Sequence, residues 1–419
     1  MAVLRAFFTN GRLLTLALGH FMVDSYVGVL PVLFPLLIHR FELNLQTVGL
    51  VALAYSGMGA ISQPFFGLVA DRWGTRFTGL ALAWTAVSFA AAGFAPTFPI
   101  LVGVAFLSGI GSGAFHPLGA VTVRSLLPPR GLNMAMSLYV TAGTLGLAAG
   151  PLIGVAAFGL AGVRGTGLML LPGVMVAGYL VLAMRGQAYA IPRRPRHRVS
   201  AGHALPLLPL AATVGVMASR SWTTVALQAF TPTWYQHLGY QPWFYGPLAT
   251  TIILASAMGA VGTGALADRY GRRAVIVGTM VLSVPAVWLF AAFPGVQGFL
   301  WAVLVGALAA STAPLMLVLA QELLSARAGL ASGLIMGLGF VTGAIGVPVT
   351  GAIADRFGLQ TALFSQVLVV LLTIPIALLL PSERYLSALR EKPDFPANRE
   401  PERVLARGLP GNQESPAGG

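Results

Sequence analysis

GLVADRWGTR, residues 67–76, and GALADRYGRR, residues 264–273, are two versions of one phrase, G-x-x-x-D-R-x-G-x-R, set 197 residues apart. The same offset, held without a gap, places Pro35 on Pro232, Gly109 on Gly306 and Pro117 on Pro314. It also places Gly146, Pro151 and Gly154 on Gly343, Pro348 and Gly351. Chance would rarely align so many helix-disturbing residues at a single spacing. The chain therefore reads as two parallel copies of one unit.

The solvent of those units is lipid. Of 419 residues 56% are hydrophobic and only 9% charged, with a mean hydropathy of +0.80. A soluble domain averages about 25% charged residues, and no aqueous core absorbs this much apolar surface. Gly, Pro and charged breaks divide the chain into twelve apolar runs, each near the ~20 residues that cross a bilayer. They are 13–38, 46–70, 77–95, 98–123, 132–158, 167–185, 204–231, 243–267, 274–293, 298–322, 329–353 and 359–381. The first is too long for a leader's apolar region and lacks a small-residue cleavage site, so it reads as a span.

The expected architecture is an all-α membrane protein, twelve transmembrane helices in two pseudo-symmetric six-helix bundles. Residues 1–185 form the first bundle, 186–202 a Pro- and Arg-rich linker, 203–381 the second bundle, and 382–419 a polar tail expected to be largely disordered. The net charge of +13 comes from 24 Arg and one Lys. These are scattered through short loops, which marks topology rather than nucleic-acid binding. With the N-terminus in the cytoplasm, 21 basic residues fall inside, three outside, and Arg220 within a span. Both termini are thus expected to be cytoplasmic. The absence of cysteine excludes disulfides, thiolate metal sites and cysteine nucleophiles.

In the repeated loop, Gly67 and Gly264 would permit close helix approach. Asp71 and Asp268 can accept at a neighbouring helix N-terminus. Arg72, Arg76, Arg269 and Arg273 can pair across the cytoplasmic face, and Gly74 and Gly271 allow the tight turn. Such a cluster could latch one conformation as a gate. This loop resembles the signature of the major facilitator superfamily, and the resemblance covers residues 13–381. It implies a monomeric transporter of small molecules in a lipid bilayer, without cofactor or metal.

GTLGLAAGPLIG (143–154) sets Gly143, Gly146, Gly150 and Gly154 at helical spacing around Pro151. It resembles the antiporter motif of drug exporters in that superfamily; small residues that pack helices closely would leave the same pattern. GFVTGAIGVPVTG (339–351), with Gly343 and Pro348, is its looser counterpart. Proton-coupled exporters of the superfamily often carry an arginine early in the fourth span; Ala105 stands there. Any proton coupling must then use another group.

GHFMVDSYVG (19–28) offers one. His20 and Asp24 lie four residues apart, on one helical face. A carboxylate at mid-membrane costs roughly 2.5–3.5 kcal/mol on insertion scales and marks function by default. Burial favours the neutral acid and a nearby cation the carboxylate, so a balanced group can load and unload protons. The offset maps Asp24 onto Ser221, beside Arg220, the expected cation. A fixed ion pair holding two helices in register is the other reading of that pair. AFHPLGA (114–120) inserts His116 before Pro117 as a possible proton acceptor or anion ligand. Tyr26, Tyr139, Trp222 and Gln228 are further candidate substrate ligands. Trp234, Tyr235, Tyr240 and Trp243 read as an interfacial belt, and Gln321 and Glu322 as interfacial or gating.

GHFMVDSY, GAFHPLGA and ASGLIMGLGF (331–340) resemble the fosmidomycin-resistance branch of the superfamily, drug:proton antiporters that expel a phosphonate antibiotic. That resemblance implies a bacterial inner (plasma) membrane, antibiotic efflux, and roles for His20, Asp24 and His116. The expected function is proton-coupled efflux of a small drug-like or anionic compound. A proton-coupled importer on the same fold and a non-transporting receptor or scaffold are the alternatives. An enzyme is not expected: there is no phosphate-binding G-x-x-x-x-G-K-[ST] loop, metal-ligand cluster or nucleophile–base pair in the sequence.

Overall fold

The computed structural model describes residues 10–73, 76–126, 132–185, 206–309, 311–324 and 328–390. Apolar chain in lipid must satisfy its backbone internally, and the described residues are accordingly helical, with no strand among them. Helix α1 is Gly11–Phe41. Helix α2 runs through Leu45–Ala52, a π-helical turn at Leu53–Gly57, and Met58–Trp73. Then come α3, Thr78–Ala92, α4, Phe98–Leu126, and α5, Leu132–Ala161. Helix α6 joins a 3₁₀ segment, Gly162–Met169, to Leu170–Ala183. The second half has α7, Leu207–His237, α8, Pro242–Tyr270, and α9, Arg272–Ala292. Helix α10 is broken into Gly298–Ala309 and Ala313–Leu323, followed by α11, Ala328–Phe357, and α12, Leu359–Leu378.

The two halves repeat one packing scheme. In the first, α1 packs on α5, α2 on α4, and α3 on α4 and α6. In the second, α7 packs on α11, α8 on α10, and α9 on α10 and α12. These are two six-helix bundles related by the 197-residue offset. Between them α2 meets α11, its symmetry mate α8 meets α5, and α1 meets α7.

Caps fix the helix ends. Asn10 accepts from the amides of Arg12 and Leu13, and Asn44 from that of Thr47 at 2.7 Å, in each case relieving first-turn donors. Arg40 donates to the carbonyls of Gly93 and Ala95 at 2.6 and 2.9 Å, placing a cation at the C-terminal end of α3.

The glycines of α5 bring it hard against α1. A Cβ on Gly146 would strike the Phe21 carbonyl, and one on Gly150 would sit 2.5 Å from the Gly28 backbone. Gly154 faces Val32, and Pro151, which lies between Gly150 and Gly154 in sequence on α5, is buried. In the second bundle Gly343 meets Val225 of α7.

The buried core shows where the bundles touch. One continuous apolar cluster fills the first bundle and passes through Phe34, Val48, Phe230 and Val347 into the second. Thr250 of α8 donates to the Ala148 carbonyl of α5 at 2.7 Å on the same side. That side lies opposite the termini. Near the termini, the second bundle keeps a separate core of Val216, Ile276, Met316 and Leu386. Among the described residues the bundles are thus joined on the side away from the termini.

Two sequence expectations are corrected here. Trp234 and Tyr235 are not an interfacial belt: the helix carries them to His237 within the bundle, where they are buried and pack on Phe290. Trp243, 73% exposed, does lie at the surface. The tail does not begin as disorder either. Glu383–Arg390 form a short helix, α13, anchored by buried Leu386. The linker 186–202 and residues 391–419 lie outside the described residues.

Candidate functional site

Helix α1 carries His20 and Asp24 one turn apart, and α4 brings His116 across to meet them. His116 Nε2 lies 3.1 Å from Asp24 Oδ1, and His20 Nε2 lies 3.4 Å from Asp24 Oδ2. The far nitrogen of each ring is also engaged. His20 Nδ1 is 2.8 Å from the Tyr139 carbonyl, and His116 Nδ1 is 2.7 Å from the Ser112 carbonyl. Tyr139 stacks on His20 at 4.2 Å and the two imidazoles meet edge to face at 5.2 Å.

These contacts decide where protons sit. A carbonyl oxygen only accepts, so both Nδ1 atoms must carry hydrogen. In a neutral ring Nε2 would then be bare and would face a carboxylate oxygen, acceptor against acceptor. The 3.1 Å contact requires a proton between His116 and Asp24, and a second can lie between His20 and Asp24. The site thus gathers three titratable side chains in one hydrogen-bonded cluster. The side chains of His20, Asp24 and His116 are 7%, 19% and 30% exposed.

Gly143 makes room for it. A Cβ there would lie 2.5 Å from Asp24 Oδ2 and 2.6 Å from His20 Nε2. In sequence Gly143 stands out only as part of a small-residue stripe. Ser112, whose carbonyl orients His116, carries no signal in sequence at all.

The sequence shows no metal-ligand cluster, yet the fold assembles His20, Asp24 and His116 from distant segments with their donor atoms all within 4.8 Å. A divalent ion could bridge such a set. The hydrogen bond and ion pairs to Asp24 account for the same geometry with protons.

The expected Asp24–Arg220 pair does not form. Asp24 is held by the two histidines, while Arg220 is buried on α7 with Nη1 3.8 Å from Met217 Sδ. Tyr26 is fully buried and donates to the Met169 carbonyl at 3.1 Å, which ties α1 to α6 instead of presenting its hydroxyl to a ligand. Trp222 donates to Thr350 Oγ1 at 3.0 Å and lies against Gly346, joining α7 to α11. Tyr139 is buried as the platform under His20. Gln228 is half-buried on α7.

In the signature loops, Gly74 lies outside the described residues, as do the side chains of Asp71, Arg72 and Asp268. Arg76 and Arg269 are exposed, Arg269 over the Tyr270 ring at 5.2 Å, and Arg273 is half-buried. A Cβ on Gly67 or Gly264 would meet no described atom within 4 Å, so neither marks a tight crossing here. Gly271 has φ +85° and turns α8 into α9. Arg272, counted among the basic residues of the terminal side, falls at an unspecified position of the motif. It bridges Glu322 at 2.9 Å and Glu383 of α13 at 3.7 Å, and its amide donates to Glu383 at 3.1 Å.

Two matched six-helix bundles with a polar cluster buried in the membrane span define a multi-pass transporter. The sequence matches the Major Facilitator Superfamily over residues 16–263 and 211–410, and the chain belongs to that family. It is 29% identical over 397 residues to the uncharacterized MFS-type transporter YfnC of Bacillus subtilis, covering 89% of this chain and 93% of that protein. It is 27% identical over 367 residues to the fosmidomycin resistance protein of Escherichia coli, covering 84% and 88%. Among solved structures it resembles a bacterial homologue of the human lysosomal transporter Spinster in an inward-facing, occupied conformation. The TM-score is 0.75 at 17% identity, over 88% of this chain and 95% of that one. The nucleoside transporter NupG gives 0.69 at 16% identity, over 88% and 99%. The protein is a secondary transporter, working in a lipid bilayer on a small-molecule substrate.

Proposed function

We propose that the protein exports a small anionic compound of the phosphonate type in exchange for protons, across a bacterial inner membrane. The observation that carries this reading is the His20–Asp24–His116 cluster, three titratable groups in mutual contact within helices that read as membrane spans. As the bundles rock, Asp24 takes a proton from one side and yields it to the other. His116, the more exposed imidazole, and Arg220 supply positive charge for a negative substrate group. The kinship with a fosmidomycin resistance protein supports efflux and the substrate class.

Further parts of the reading rest on charge and pattern. The excess of arginine on the side of the termini supports a cytoplasmic placement of both ends. Residues 1–185 and 203–381 act as the two rocking units of one monomer, joined by 186–202.

Everted membrane vesicles test the proposal with fosmidomycin as probe. An imposed gradient, acid inside, should drive fosmidomycin into vesicles containing the protein, and the Asp24→Asn protein should lose that response. Accumulation independent of the gradient would refute proton coupling. Uptake into right-side-out vesicles, with none into everted ones, would make the protein an importer.

A further inference from the structure

The A-D-R-x-G phrase that ends α8 occurs again where no signature loop is expected. IADRFG, residues 353–358, closes α11 on the side away from the termini. The likeness extends to backbone. Gly271 has φ +85° and ψ 147°, and Gly358 has φ +85° and ψ 156°. Each glycine amide donates to the alanine four residues earlier, Gly271 to Ala267 at 2.9 Å and Gly358 to Ala354 at 2.8 Å. Each turns one helix directly into the next. The aspartate of this third copy therefore sits in the same helix–glycine–helix corner as Asp268, on the opposite face of the membrane.

What Asp355 touches belongs to the other bundle. Its Oδ1 accepts from the amide of Leu45 at 2.7 Å and its Oδ2 from that of Gln46 at 2.8 Å. These are the first two residues of α2, whose amides have no partner within their own helix. Asn44 caps the amide of Thr47, so the first turn of α2 is satisfied partly by its own chain and partly across the bundle interface. A negative charge at a helix N-terminus also meets the positive end of its dipole. Around this contact the backbones nearly touch. A Cβ on Gly351 would strike the Leu45 carbonyl, and one on Gly49 would lie 2.9 Å from Pro348.

We propose that Asp355 is the latch of the outer gate: it holds the side away from the termini closed by capping α2 of the first bundle, and it must release for that side to open. The proposal depends on neither the substrate nor the coupling ion.

The absence of cysteine makes thiol labelling a clean test. Val347, fully buried beside Gly49 in this interface, is replaced by cysteine as the reporter. Ala86, fully buried within the first bundle, is replaced in a second protein as a fold control. In purified full-length protein, Asp355→Asn should speed maleimide labelling at the Val347 position about tenfold, as expected when a hydrogen bond to a charged group is lost. The Ala86 position should remain protected. Gly351→Val, which leaves Asp355 intact and wedges the same interface, should act in the same direction if the Asp355 variant aggregates. Unchanged labelling at the Val347 position overturns the latch. So does a parallel rise at both positions, which would make Asp355 a residue of general stability.

Discussion

His116 Nε2 faces Asp24 Oδ1 at 3.1 Å while its Nδ1 is committed to the Ser112 carbonyl at 2.7 Å. One ring thus joins a helix backbone to an intramembrane carboxylate, and the joint holds only with a proton in it. Replacing His116 by Gln removes that titratable partner but keeps a donor for Asp24. We predict that His116→Gln folds and inserts normally, exchanges fosmidomycin with a weakened apparent affinity in the absence of a gradient, and loses most of its acceleration by an imposed pH gradient. Paired counterflow and gradient-driven assays on the same vesicles check this.

Gly143 touches both His20 and Asp24 through space that a methyl group would fill. Gly143→Ala should force the pair apart. Overpacking of this kind costs about 1–3 kcal/mol, so a lowered melting temperature should accompany impaired gradient-driven transport. Gly159, where a Cβ meets nothing within 4 Å, is the control. Gly159→Ala should leave both quantities unchanged.

The side chains that bridge Arg272 differ in burial and distance. Glu322 is 2.9 Å away with its side chain 23% exposed, while Glu383 is 3.7 Å away and 45% exposed. Glu322→Gln should destabilise the protein by about 1–3 kcal/mol, and Glu383→Gln by less than about 1 kcal/mol. Thermal unfolding in detergent at low and high salt gives the order, and salt should shrink the Glu383 effect more.

If protons and not metal fill the His20–Asp24–His116 cluster, dialysis against a chelator leaves gradient-driven transport intact. Loss on chelation, restored by a single divalent metal, would assign the cluster to an ion.

Much of this was legible in the residues. The 197-residue offset follows from helix-breaking residues that both bundles need at the same bends, and it gives the paired packing of α1 with α5 and α7 with α11. His20 and Asp24 announce themselves because charge is rare in apolar runs. The partner of Asp24 was not legible. Helical periodicity shows which residues share a face of one helix, but not which helix lies opposite. The repeat pointed across the bundle interface to Arg220, whereas the packing of α4 on α1 delivers His116. Asp355 was missed for a different reason. Its phrase stands at an offset the repeat does not generate, and its partners are backbone amides, which every sequence contains. Trp234 and Tyr235 show the limit of composition: aromatic residues near a helix end suit an interface or a core, and only packing on Phe290 decides.

Proton movement itself is the most direct measure of the account. Purified protein is reconstituted in liposomes enclosing a pH-sensitive dye, and an outward or inward fosmidomycin gradient is imposed without any initial pH difference. The wild-type protein should move protons against the direction of fosmidomycin flow, and Asp24→Asn should move fosmidomycin down its gradient with no dye response. A dye response in Asp24→Asn equal to that of the wild type would show that the cluster is not where protons are carried.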